Sequence, residues 1–334
     1  MYNLNSRMVR KEFHSQFAPL ITNFIAEKKG LGHKADADVG LLFQFDKFII
    51  DECIQDAVIT KEIFNKWCGR RPHESDKTHQ MRQSSVNQLC RYAARMGLPY
   101  YVSTHKIRKN RSQFRPYIFT DDEISRFLKS ADELGRTPYS PKRHNVIPML
   151  FTMLICTGLR LNEALRLKKS DVEIQGGNAV LRLYDTKFDK DRIVPLTENL
   201  TKDFMSYLDG LALSPLKSEY VFPAKDNGFY GHSTIYTVFR KILFHAGIPH
   251  GGRGKGPRIH DFRHTFAVKS LRNMELKGTD VDASLIMLSR YLGHTCLAST
   301  QVYLHLTAEL FPYISSKVEA SCGNIIPEVE VHYG

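Results

Sequence analysis

The sequence predicts a mainly α protein of two domains, with one small β-hairpin in the second. Three observations carry this. Apolar residues recur at spacings of three and four through most of the chain, as helices with one buried stripe require. A length of 334 residues with 42% hydrophobic content suffices for two separate cores. Only one stretch, AVLRLYDTKFDKDRIVPLT at 179–197, places two β-favouring runs around a polar turn.

Taken in chain order, four helical patterns lie between Phe17 and Gly97: FAPLITNFIAEKK, VGLLFQFDKFIIDE, TKEIFNKWCGR and HQMRQSSVNQLCRYAARMG. They predict a helical domain over 1–103. Beyond Pro99 the periodicity stops, and a segment at 104–116 sets Lys106, Arg108, Lys109, Arg111 and Arg115 among aromatics. That is the composition of a solvated linker, and equally of a linker crossing a phosphate backbone. The second domain, 117–334, opens with TDDEISRFLKSA, where Thr120 suits an N-cap and Asp121, Asp122 and Glu123 suit the positive end of the helix dipole. VIPMLFTMLIC, 146–156, reads as a buried helix too short to span a bilayer. The chain has no internal repeat and no low-complexity tract.

Composition restricts the partner. A formal charge of +12 favours a polyanion, nucleic acid first, through local concentration and salt-dependent affinity. Six cysteines without a CxxC pair argue against a zinc ribbon or a disulfide framework and fit a reduced cytosol. The opening MYNLNSRMVRKEF lacks the apolar run of a secretion signal, so a cytoplasmic location is expected.

The stretch RIHDFRHTFAV concentrates His260, Arg263 and His264 ahead of an apolar run. His260 and His264 share the four-residue spacing of a helical zinc site, but Asp261 stands where such a site has glutamate, and a third ligand is missing. No carboxylate cluster offers the oxygen ligands of a two-magnesium nuclease, and GGRGKGPR does not have P-loop spacing. No metal and no cofactor are therefore expected. Phosphate fits better. TGLRLNEALRL puts Arg160 at the start of a helix with Glu163 one turn on, and YLGHTCLASTQVYLHL adds His294 and Tyr303. Two guanidinium groups suit the nonbridging oxygens of one phosphate, and a tyrosine beside them could attack it.

Four motifs in this order, TGLRLNEAL, TKFDKDRIVPL, HDFRHTFA and LGHTCLASTQVYLHL, resemble the tyrosine recombinase (phage integrase) family across residues 118–315. The resemblance implies a helical core DNA-binding domain followed by a recombinase catalytic domain. It implies that Tyr303 attacks a DNA phosphate to form a 3′-phosphotyrosyl link, that Arg160 and Arg263 stabilise the phosphorane, and that Lys187 protonates the leaving 5′-oxygen. His260 would aid proton transfer involving the tyrosine, His294 would donate to a nonbridging oxygen, and Glu163 would orient its neighbours. Tyr303 has the family's spacing after LGH, which Tyr291 and Tyr313 do not, and Lys187 aligns better than Lys190. His264 reads as a structural neighbour. Arg253, Lys255 and Arg258 join the linker cations as expected DNA contacts.

The implied partner is double-stranded DNA with paired half-sites, bound by a homo-tetramer whose C-terminal helix, in 307–323, passes between protomers. The setting is either mobile-element integration or chromosome-dimer resolution, the long segment before LGH and the YLHLTAEL ending favouring the first, with neither ATP nor metal. Two departures from the family stand out. The interval containing LRNMELKGTDVDAS is long, predicting an extended helix connection, and with the helical pattern starting by Phe17 no arm-binding domain is expected. A noncatalytic DNA-binding protein on this fold, or a type IB topoisomerase-like enzyme, would use many of the same residues.

Overall fold

The helical stripes fold as their spacing requires. A computed structural model describes residues 12–33, 35–104, 115–137, 140, 142–184, 191–213, 217–252, 256–294 and 296–310. Lys106, Arg108, Lys109, Arg111, Lys187, Lys190, Arg253, Lys255, Tyr313 and the tail beyond 310 lie outside the described residues. The chain divides into two compact units, Met1–Phe114 and Arg115–Gly334.

The first unit contains α1 (Ala18–Gly30), α2 (Asp36–Asp51), α3 (Lys61–Cys68) and α4 (Asp76–Arg95). Thr60 and Ser75 begin α3 and α4 by accepting from the backbone N–H groups of Ile63 and Thr78. The four stripes meet in a core that includes Phe17, Ile21, Phe45, Trp67 and Leu89. Arg82 is buried beside this core, its guanidinium 2.6 Å from Glu74 and bonded to the carbonyls of Trp67 and Gly69. A buried charge is tolerable only when answered in this way.

The second unit contains α5 (Asp121–Asp132), α6 (Arg143–Thr157), α7 (Leu161–Arg166), β1 (Val172–Gln175), β2 (Asn178–Leu183), β3 (Arg192–Pro195), α8 (Glu198–Ala212), α9 (His232–His245), α10 (Asp261–Leu276), α11 (Val281–Leu292) and α12 (Ala298–Leu310). Thr120 and Glu123 close a reciprocal capping box on α5, as the sequence predicts. The predicted buried helix is α6, and Phe127, Phe151, Phe239 and Phe262 from four helices pack around it as ring pairs.

The predicted hairpin is β2–β3. The sheet has a third strand that the reading of 179–197 leaves out: β1 pairs antiparallel with β2, so Leu181 faces both Val172 and Val194. Gly176 and Gly177, at φ 58° and 83°, make the tight turn between them. The long interval after Arg263 does not lengthen a loop, because α10 runs to Leu276 and only residues 277–280 connect it to α11. A second core, with Leu271, Leu285, Leu288, Leu292, Tyr303 and Leu304, joins α10, α11 and α12. Among the described residues no helix is long and apolar enough to cross a membrane.

Candidate active site

Two helix ends build the site. α6 stops at Gly158, whose φ of 63° is left-handed and whose Cβ, if present, would lie 2.6 Å from the Phe266 ring. Only glycine turns the chain there. The Gly158 carbonyl accepts from Arg263 Nη1 at 2.8 Å, and Arg160, two residues on, starts α7. α11 ends likewise on Gly293, at φ 65°. Its turn presents the Leu292 carbonyl to Arg263 Nη2 and the Gly293 carbonyl to Arg160 Nη2, the latter at 3.3 Å. Carbonyls at helix C-termini carry partial negative charge, so both arginines are held without a carboxylate of their own at those points.

Glu163 supplies the carboxylate. It accepts from Arg160 Nη1 at 2.7 Å and from the Arg160 backbone N–H at 2.8 Å, while Arg192 of β3 spans both its oxygens at 2.9 and 2.7 Å. Burial pushes the Glu163 carboxyl up, but the hydrogen bonds and charge of Arg192, with the bonds from Arg160, outweigh it and hold the group at about 2.

Packing of α10 on α12 then brings in the tyrosine. Tyr303 is 3% exposed, and its hydroxyl lies 3.0 Å from Nδ1 of His264. The His294 ring stacks on Tyr303 at 6.1 Å between centroids, with its Nδ1 2.8 Å from Thr300 Oγ1. His260, at the start of α10, meets the His264 ring edge to face at 4.8 Å. The structure thus gathers Arg160, Glu163, His260, Arg263, His294 and Tyr303 into one cluster of contacts.

The phage integrase family model matches residues 118–309, more than half of the chain. The chain belongs to this family. It is a tyrosine-type site-specific recombinase. The y4rB integrase/recombinase of Sinorhizobium fredii is 29% identical over 314 residues, covering 91% of this chain and 98% of that protein. A tyrosine recombinase of Pseudothermotoga lettingae is 27% identical over 279 residues, covering 82% and 87%. Among solved structures, XerH bound to a palindromic difH substrate, in a post-cleavage complex, aligns with TM-score 0.60 at 20% identity, covering 86% of this chain and 79% of that one. A lambda integrase dimer bound to a COC' core site aligns with TM-score 0.57 at 17% identity, covering 85% and 94%. At such identities these two share the fold.

Electrostatics in the recombinase site favour an anion and neutral histidines. Burial, then the charge of Arg160, pushes Arg263 down to about 10, so it stays cationic at neutral pH. Burial, followed by His260 and Arg258, pushes His264 down to about 3; burial and Arg263 push His294 to about 4. His260 stands at the exposed rim, yet desolvation and the charge of Arg263 bring it to about 4 as well. Burial raises Tyr303, against the opposing pull of Arg263 and Arg160. Among the described residues no three or more His, Cys, Asp or Glu are grouped as a metal would require.

Three further positions named from the sequence are described. Arg258, just ahead of α10, pairs with the buried Asp261 at 2.9 Å. Arg115 is exposed. Tyr291 packs its ring on Phe266 at 5.4 Å. Two residues stand in contacts that the sequence reading did not give them. His264, read as a structural neighbour, has its Nδ1 beside the tyrosine hydroxyl, and the signal for it in the sequence is its four-residue spacing from His260. Arg192 reads as a polar strand residue and is instead buried against Glu163.

Proposed function

We propose that this recombinase cuts and rejoins duplex DNA through a 3′-phosphotyrosyl intermediate at Tyr303. The observation that carries the proposal is the Tyr303 hydroxyl held 3.0 Å from His264 Nδ1, beside arginines fixed by main-chain carbonyls. Tyr303 Oη attacks phosphorus, the P–O5′ bond breaks, and the tyrosine proton passes to His264. Lys187 protonates the departing 5′-oxygen. Arg160 and Arg263 bind the nonbridging oxygens and stabilise the charge that builds there, as preorganised donors do, and His294 adds a further donor. A bound phosphodiester also raises the basicity of the neutral histidines, because its negative charge favours an imidazolium. The covalent link keeps the energy of the phosphodiester, so the 5′-hydroxyl reseals the strand without ATP.

Support for a DNA substrate comes from the +12 charge, the family, and the DNA complexes of XerH and lambda integrase. In this proposal the 1–103 domain and the catalytic domain hold one duplex half-site, with the basic 104–116 segment crossing the backbone between them. Four copies join two sites, with the tail at 307–323 exchanged between neighbours. A lambda integrase tetramer on a Holliday junction, TM-score 0.54, is a precedent for such a state. The enzyme then acts on cytoplasmic DNA, with mobile-element integration the favoured setting.

A nicked suicide duplex carrying the recombination site tests the chemistry. Wild type leaves a covalent protein-DNA band on a denaturing gel, and Tyr303→Phe leaves none while binding DNA within about threefold of wild type, since phosphate contacts dominate affinity. A band from Tyr303→Phe overturns the assignment. Truncation after Ala308 tests the assembly: single-site binding persists and recombination falls.

A further inference from the structure

Arg192 belongs to none of the roles above, yet its side chain is buried among the residues that fill them. It stands at the start of β3, immediately after the turn segment that carries Lys187, and its side chain is 8% exposed. Its two terminal nitrogens bind the two oxygens of Glu163 at 2.9 and 2.7 Å. Nε is buried and has no hydrogen-bond partner among the described residues. On its other side the guanidinium lies against Gly293, where a Cβ would come within 3.0 Å of Nη1. Arg192 therefore wedges between the carboxylate that holds Arg160 and the turn that carries His294.

Charge accounting gives this wedge a purpose. Glu163 is one negative charge shared by Arg160 and Arg192, so the trio keeps a net positive charge facing the phosphate. Without Arg192 the buried carboxylate would have Arg160 as its remaining cation and would compete with DNA for it. A buried carboxylate stripped of a partner demands compensation from whatever cation remains.

We propose that Arg192 is a positioning residue for strand cleavage: by occupying both oxygens of Glu163 it leaves the charge of Arg160 available to the scissile phosphate. The proposal rests on the reading of Arg160 as a phosphate ligand. Its distinctive consequence is suppression. If Arg192 acts by satisfying Glu163, neutralising Glu163 restores the cleavage rate of the folded enzyme; if Arg192 merely holds the fold, the loss and the recovery appear in the urea midpoint and not in the single-turnover rate of the folded enzyme.

Single-turnover cleavage of the suicide duplex is measured for wild type, Arg160→Ala, Glu163→Gln, Arg192→Met, Arg192→Lys and the doubles Arg192→Met/Glu163→Gln and Arg192→Lys/Glu163→Gln, with DNA affinity and the urea midpoint measured alongside. Arg192→Met is expected to cleave about 100-fold more slowly, comparable to the loss of one preorganised donor, with affinity changed less than about threefold. Adding Glu163→Gln is expected to recover at least about tenfold of that rate, because the buried carboxylate no longer captures Arg160. Should Arg192→Met fail to fold, the lysine pair carries the same comparison, since lysine keeps the charge but cannot span both oxygens. Arg192 variants that cleave at the wild-type rate, or doubles no faster than their Arg192 parents, overturn the proposal. Normal cleavage by Arg160→Ala would instead overturn the phosphate reading on which it rests.

Discussion

His264 Nδ1 lies 3.0 Å from the Tyr303 hydroxyl, and His260, one turn earlier on α10, packs against the His264 ring rather than taking that place. A neutral imidazole bare at Nδ1 can accept the phenolic proton as the oxygen attacks. His264→Gln, which keeps a polar side chain but not a base, should slow covalent attachment by about 100-fold at pH 7, within the usual range for a positioned general base. Quenched-flow cleavage of a suicide substrate measures it. An unchanged rate would return proton transfer to His260.

Stability should depend on pH through the same histidines. His264, His260 and His294 are held at about 3, 4 and 4, below their ordinary 6.5, so the unfolded chain takes up protons that the folded chain refuses. Their contribution is complete above about 6.5 and is lost as pH falls from there through about 4. Urea midpoints at a series of pH values should decline over that window, and His264→Gln should reduce the slope by about one proton. Equal slopes for the two proteins would show that His264 is not held neutral by folding.

Glycine substitutions should separate strain from packing. Gly293→Ala forces an L-residue to φ 65° and puts its Cβ 3.0 Å from Arg192, so it should cost about 1–3 kcal/mol and slow cleavage. Gly158→Ala should cost more, because its Cβ would come closer to an obstacle, 2.6 Å from the half-buried Phe266 ring. Gly210→Ala, inside α8 with nothing within 4 Å, should stabilise by about 0.5–1 kcal/mol. Thermal unfolding of the three variants gives the order, and a destabilising Gly210→Ala would break it.

Lys187→Ala should slow cleavage of an ordinary phosphodiester yet cleave a 5′-bridging phosphorothiolate at close to the wild-type rate, because a thiolate leaves without needing a proton. Rescue of Lys190→Ala, with none for Lys187→Ala, would transfer the acid role to Lys190.

Helices and chemistry differ in how openly the chain displays them. The α3 and α5 starts were legible because Thr60 and Thr120 bond to residues three positions on, so their message is local. The strand β1 was also signalled, by a Gly-Gly turn between VEIQ and NAVLRL, but four residues with an acidic member make a faint β pattern. Arg160, Arg263, His294 and Tyr303 stood out through the spacing of their motifs. His264 and Arg192 did not, because their roles depend on partners 39 and 29 positions away, brought close only by the packing of α10 on α12 and of β3 near α7. A histidine beside an arginine, or an arginine opening a strand, looks like any surface residue until its neighbours are known.

The Gly293 turn, where both arginines find carbonyls 133 and 29 residues along the chain from themselves, has a consequence during synthesis. The α1–α4 unit has its own core and can fold while translation continues, as N-terminal domains do. The cutting site has no complete early form: until the ribosome has released α11 and α12, Arg263 and Arg160 lack the carbonyls of the Gly293 turn and the tyrosine does not yet exist. A nascent chain is therefore harmless to DNA for most of its manufacture, and the ability to break a strand arrives late and all at once.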